Sequence, residues 1–167
     1  MCMRYSGISD CDIANGKGMR VTLYTQGCSH RCFQCHNPET WDGNGGIEFT
    51  KKTLDKICKL LDRPYIDGLT LSGGDPLFSA NREDVLSLCK EVKKKFPQKN
   101  IWLYTGYLFE EIENLEIMNY VDVVVDGKFN FMLRDTSLAF RGSSNQRIID
   151  VKESKNQHKI VLVDVDK

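Results

Sequence analysis

Residues 19–27, MRVTLYTQG, alternate apolar and polar side chains and are rich in β-branched residues, the pattern of a half-buried strand. Further on, TKKTLDKICKLLDR (50–63) places Leu54, Ile57, Cys58 and Leu61 at helical spacing, with Thr50 as N-cap. GLTLSGG (68–74) predicts a second strand ending in glycines. NREDVLSLCKEVKKKF (81–96) predicts a second helix with Val85, Leu88, Cys89 and Val92 on one face. A third strand follows at NIWLYTG (100–106), a less regular helix at FEEIENLEIM (109–118) and a fourth strand at VDVVVDGKF (121–129). Strands alternating with helices predict a parallel sheet with right-handed crossovers. The tail departs from this rhythm. LAFRGSSNQRIIDV (138–151) reads as two short strands around a polar turn, and HKIVLVDVD (158–166) as a last strand.

In parallel α/β sheets, ligand groups gather at the carboxyl ends of strands. The unusual segments all fall there: QGCSHRCFQCHNPETW (26–41) after the first strand, SGGDP (72–76) after the second, YTGY (104–107) after the third and DGK (126–128) after the fourth. At 167 residues the chain suits one domain, 1–167, and is short for a complete eightfold barrel of about 250 residues. Lysines plus arginines and aspartates plus glutamates number 23 each, so the basic excess of a nucleic-acid binder is missing. No charged leader with an apolar run and no apolar stretch of about 20 residues is seen, which predicts a cytoplasmic protein without a membrane partner.

Three of the seven cysteines lie within residues 28–35, spaced Cys28-x3-Cys32-x2-Cys35. In a reducing compartment, such a cluster indicates a metal or redox centre. Soft thiolates suit zinc, copper(I) or iron–sulfur clusters. A structural zinc ion needs a fourth ligand, and His30 or His36 would supply it only with a strained loop. A [4Fe-4S] cluster on three thiolates keeps one iron open to an outside molecule. Both a zinc-binding interaction module and an iron–sulfur enzyme remain open at this point. Cys58 and Cys89 lie on apolar helical stripes and read as core residues. KEVKKK (90–95) reads as a solvated helix end complementing the dipole.

The C-x3-C-x2-C spacing resembles the signature of radical S-adenosylmethionine enzymes, and SGGDP resembles that family's glycine-rich turn. DIANGKGMRVTLYTQGC (12–28), CHNPETWD (35–42) and RGSSNQRIIDV (141–151) are similar to segments of glycyl-radical-enzyme activases, and among them to those of anaerobic ribonucleoside-triphosphate reductase. The expected fold is α/β, a partial, open TIM-like (β/α)6 barrel with a mainly parallel sheet. The resemblance implies an oxidoreductase with one [4Fe-4S] cluster on Cys28, Cys32 and Cys35. Reductive cleavage of S-adenosylmethionine would give methionine and a 5′-deoxyadenosyl radical, which takes hydrogen from a glycine of the reductase. Backbone groups of Gln34, Cys35 and His36 would read the adenine. Gly73, Gly74, Asp75 and Pro76 would form the turn, with Asp75 holding the ammonium group. Thr105 and Gly106 would line the site, and Asp126 and Lys128 would face the methionine part. Implied partners are the reductase, as protein substrate, and a low-potential electron donor such as flavodoxin. The same chemistry on a pyruvate formate-lyase type enzyme is the neighbouring alternative.

Overall fold

The structure is a computed structural model that describes residues 3–28, 42 and 44–164. The described strands form one seven-stranded sheet: β1 (Arg4–Asp12), β2 (Arg20–Thr25), β3 (Ile47–Glu48), β4 (Gly68–Gly73), β5 (Asn100–Tyr104), β6 (Val123–Asp126) and β7 (Arg147–Asp150). Their order across the sheet is β3-β1-β2-β4-β5-β6-β7. The central four, β2, β4, β5 and β6, run parallel. They are the four strands that the alternation predicts. β1 pairs antiparallel with β2 and β3, and β7 pairs antiparallel with β6.

Period-2 alternation sorts the side chains of the sheet. Val21 and Leu23, Leu69 and Leu71, Ile101 and Leu103, and Val124 point to one face. There they join Ile57 and Leu61 of α1 (Lys51–Leu61) and Val85, Leu88 and Val92 of α2 (Arg82–Lys95) in the main core. Thr50 precedes α1 and its N–H donates to Thr53 Oγ at 3.1 Å, holding the first turn. Both core cysteines, Cys58 and Cys89, lie on these buried helix faces.

The opposite face is polar and aromatic. Arg20, Thr22 and Thr70 are fully buried there, beside a small cluster of Trp102, Val125 and Ile148. Arg20 is held by Thr70 Oγ (2.7 Å) and by the carbonyls of Lys17 (3.0 Å) and Leu69 (3.0 Å), with its guanidinium 5.5 Å from the Trp102 ring centre. Burial pulls its pKa down to about 10, and these acceptors together with the ring keep the buried cation satisfied.

Several features differ from the sequence expectation. β1 is an additional strand, and two register shifts, between Tyr5 and Gly7 and between Ser9 and Asp12, break its alternation. The predicted helix at 109–118 is α3 (Phe109–Ile112) followed by a separate 3-10 turn at Glu116–Asn119, because Leu115 between them is extended. Residues 138–142 form no strand, since Phe140 takes a left-handed φ of 63°. After β7 the chain turns into α4 (Val151–Gln157), where the Asp150 side chain accepts from Glu153 N at 3.0 Å as N-cap. In place of the last predicted strand, the run Ile160–Val163 makes a short antiparallel contact with β7, through Asp150 N to Val161 O and Val163 N to Ile148 O, each 2.8 Å. Among the described residues, no helix is long and apolar enough to cross a membrane.

Candidate functional site

At the carboxyl ends of the parallel strands lies a cavity of about 360 Å³, within the range of about 300–1,000 Å³ usual for small-molecule sites. Cys28 after β2, Ser72–Gly74 after β4, Tyr104–Gly106 after β5 and Gly127 after β6 all line it. Four segments distant in sequence therefore meet at one mouth.

The turn after β4 fastens the cysteine segment. Gly74 N donates to Thr25 O (2.9 Å) and Asp75 N to Gly27 O (2.8 Å), the residue immediately before Cys28. Gly73 has φ +103°, and a Cβ built there would lie 2.4 Å from both the N and the O of Thr25. The glycine is thus demanded by the close approach of β2 and β4. Cys28 is buried and lines the cavity, which suits a thiolate holding a group at its edge. Cys32 and Cys35 lie outside the described residues, as do Gln34, His36 and His30. By contrast, burial pushes the Cys89 thiol up to about 12 and raises that of Cys58, so neither suits thiolate ligation at neutral pH.

Asp75 is 1% exposed and is braced by protein donors. Its carboxylate accepts from Leu77 N (2.9 Å), from Thr105 Oγ, 3.0 Å from each oxygen, and from Gly106 N (3.0 Å). Asp75 thereby ties the glycine turn to the Thr105–Gly106 turn, which lines the cavity; Asp75 and Pro76 themselves are buried off the lining. Asp126 is fully buried, also off the lining. It accepts from Arg147 Nε (3.1 Å) and a terminal guanidinium nitrogen (2.5 Å), and from Phe109 N (2.8 Å) at the start of α3. The Asp126 hydrogen bond, with Glu110 adding to it against burial, raises the Arg147 pKa. Lys128 is exposed and likewise off the lining. Of the segment 126–128, Gly127 alone lines the cavity.

Beyond the residues named from sequence, Asn15, Tyr104, Phe129, Phe140, Arg141 and Gln146 line the cavity. Asn15 belongs to a polar network on the buried face. It donates to Asp12 (2.7 Å) and to the Tyr104 neighbour Tyr24 at its hydroxyl (3.2 Å), while Thr22 Oγ donates to Asp12 (2.7 Å). Burial pushes the Asp12 carboxyl up, but hydrogen bonds from Asn15, Thr22 and the Ala14 backbone outweigh it and hold its pKa below the usual range. Tyr104 OH donates to Phe140 O at 2.6 Å, and burial raises its phenol pKa well above the ordinary value. Asn15 lies in the DIANGKG segment and Arg141 and Gln146 in RGSSNQR, while Tyr104, Phe129 and Phe140 lie outside both.

A family model described as "4Fe-4S single cluster domain" matches residues 14–149. A phage T4 protein named anaerobic ribonucleoside-triphosphate reductase-activating protein is 48% identical over 87% of this chain and 93% of its own length. Proteins of the same name from Salmonella typhi and Escherichia coli K12 are 44% and 43% identical, each over 86% of this chain and 96% of the relative. On these matches, together with a cysteine-edged cavity at the strand ends, the chain belongs to the family of anaerobic ribonucleoside-triphosphate reductase-activating proteins, built on a 4Fe-4S single cluster domain.

Proposed function

We propose that this chain is a radical S-adenosylmethionine activase that installs the glycyl radical of an anaerobic ribonucleoside-triphosphate reductase. Its sheet, in this reading, is the open partial barrel of that family. The observation that carries the proposal is the meeting of Cys28 with Gly73–Gly74 and Thr105–Gly106 around one cavity. Cys28, Cys32 and Cys35 hold the [4Fe-4S] cluster, and three thiolates leave one iron for S-adenosylmethionine. When bound, the cluster supplies the electron that splits S-adenosylmethionine into methionine and a 5′-deoxyadenosyl radical, which takes a hydrogen atom from a glycine of the partner.

The chain's own residues position and enclose. Gly73 and Gly74 bring backbone to the cavity wall, and Asp75 locks that turn to Thr105 and Gly106. Phe129, Leu138 and Phe140 supply an apolar wall, which favours a dry site for a reactive radical. No general base is required, because a hydrogen atom carries its own electron. A low-potential protein such as flavodoxin delivers the electron.

Electron paramagnetic resonance tests the assignment. Reduced activase and S-adenosylmethionine are mixed with the reductase or, separately, with a pyruvate formate-lyase type enzyme. A glycyl radical signal with the reductase supports the reading. A signal with the lyase alone transfers the chemistry to that partner, and silence with both refutes activation.

A further inference from the structure

We propose that Arg141 binds the carboxylate of S-adenosylmethionine in this cavity. The assignment rests on the S-adenosylmethionine reading above and names a residue to which neither the glycine turn nor the cysteine motif points.

Among the described residues, Arg141 is the one charged side chain that lines the cavity. S-adenosylmethionine carries an ammonium, a sulfonium and a single anionic group, its carboxylate. Of the cavity-lining residues, Arg141 alone has the opposite charge. Lys128, the cation nominated by the sequence, is exposed and off the lining. The Arg141 Nε is buried and has no hydrogen-bond partner among the described residues. A buried donor without an acceptor is costly unless a ligand supplies one. Asp135, the nearby acid, accepts from Ser137 N (2.9 Å) and Ser137 Oγ (2.5 Å), and the charge of Arg141 adds to these in lowering its pKa, without a hydrogen bond to Arg141 Nε.

The backbone around Arg141 is fixed on both sides. Tyr104 OH holds the Phe140 carbonyl at 2.6 Å, and Gln146 Oε1 accepts from Gly142 N at 3.0 Å. Gln146 in turn donates to Gly127 O at 3.1 Å, anchoring this strap to the end of β6. Phe140 keeps its left-handed φ of 63° between these anchors, packed edge-on against Trp102 with ring centres 5.5 Å apart. A guanidinium on so constrained a backbone is preorganised to meet a planar carboxylate. A carboxylate has two oxygens with several lone pairs, so a contact with the guanidinium leaves acceptor capacity for a further partner.

The test is equilibrium dialysis of anaerobic, cluster-loaded, unreduced protein against S-adenosylmethionine and against its decarboxylated analogue. R141Q should weaken S-adenosylmethionine by about 10- to 100-fold, the range for a hydrogen-bonded charge, and leave the analogue within about threefold. R141K keeps the charge without the Nε donor and should fall between; it also serves if R141Q is unstable. Equal weakening of both ligands by R141Q, or of neither, overturns the assignment. If the wild-type protein binds neither ligand, the S-adenosylmethionine reading itself fails and the assignment goes with it.

Discussion

Replacing Gly73 with alanine separates two physical costs when it is set beside the same change at Gly127. Both glycines have positive φ, +103° and +94°, so both substitutions place an L side chain in a region it rarely adopts. That conformational cost is about 1–2 kcal/mol. The surroundings differ. At Gly127 the nearest atoms to a new Cβ are Asn145 O at 3.7 Å and Nδ2 at 3.8 Å, which is ordinary contact. At Gly73 the Cβ meets Thr25 N and O at 2.4 Å, backbone atoms of a paired strand that cannot turn aside. Forced separation there adds the cost of overpacking, about 1–3 kcal/mol. G73A should therefore lose about 2–5 kcal/mol and G127A about 1–2. For a chain of this size each kcal/mol moves Tm by about 2–4 °C. Anaerobic urea titrations of both variants read the difference directly. G73A should also loosen Cys28, because Thr25 and Gly27 are the residues this turn holds. Equal losses at the two positions would refute the claim that close approach of β2 and β4 sets the requirement at Gly73.

D75N replaces one acceptor oxygen by a donor facing Thr105 Oγ or backbone N–H groups, and should cost about 1–3 kcal/mol in urea unfolding; an unchanged midpoint would remove Asp75 as the brace between the two turns. R147M leaves the buried Asp126 without its cation and should cost about 3 kcal/mol, while D126N/R147M recovers part of it by keeping an acceptor for Phe109 N. A double variant no more stable than R147M argues against charge burial as the cause. Asp12, whose folded pKa is depressed, contributes stability that is complete above about pH 5 and is lost as pH falls through the ordinary value of about 3.9 toward its lower folded pKa. D12N should flatten that acid limb of the stability profile, and an unaltered limb would show that other carboxylates carry it.

Much of the sheet is legible in the sequence because β2 and β4 alternate, β5 and β6 are short runs rich in apolar and β-branched residues, and each of the four ends at or just before a glycine. β1 is illegible for a local reason: its bulges shift the alternation twice within nine residues. The tail misleads because Ile160–Val163 has the alternation of a strand yet pairs only briefly along β7, after α4 has taken up Val151–Gln157. At the site, Cys28, Gly73–Gly74 and Thr105–Gly106, singled out by motif and position, line the cavity, whereas Asp75 and Pro76 of the same turn do not. Asp126 and Lys128 flank the lining residue Gly127, but Asp126 is turned inward to Arg147 and Phe109 N, and Lys128 is exposed. The Asp126–Arg147 pair and the Tyr104–Phe140 anchor join residues 21 and 36 apart, so no local pattern announces them.

The central claim is a cluster with an open iron facing S-adenosylmethionine. Anaerobic iron, sulfide and zinc analysis, with product analysis after dithionite and S-adenosylmethionine, tests it most directly. The account predicts iron and sulfide in cluster stoichiometry and release of methionine with 5′-deoxyadenosine. It also predicts that C32A and C28A lose the cluster while C89A retains it. Stoichiometric zinc without sulfide, and intact S-adenosylmethionine after reduction, would contradict it.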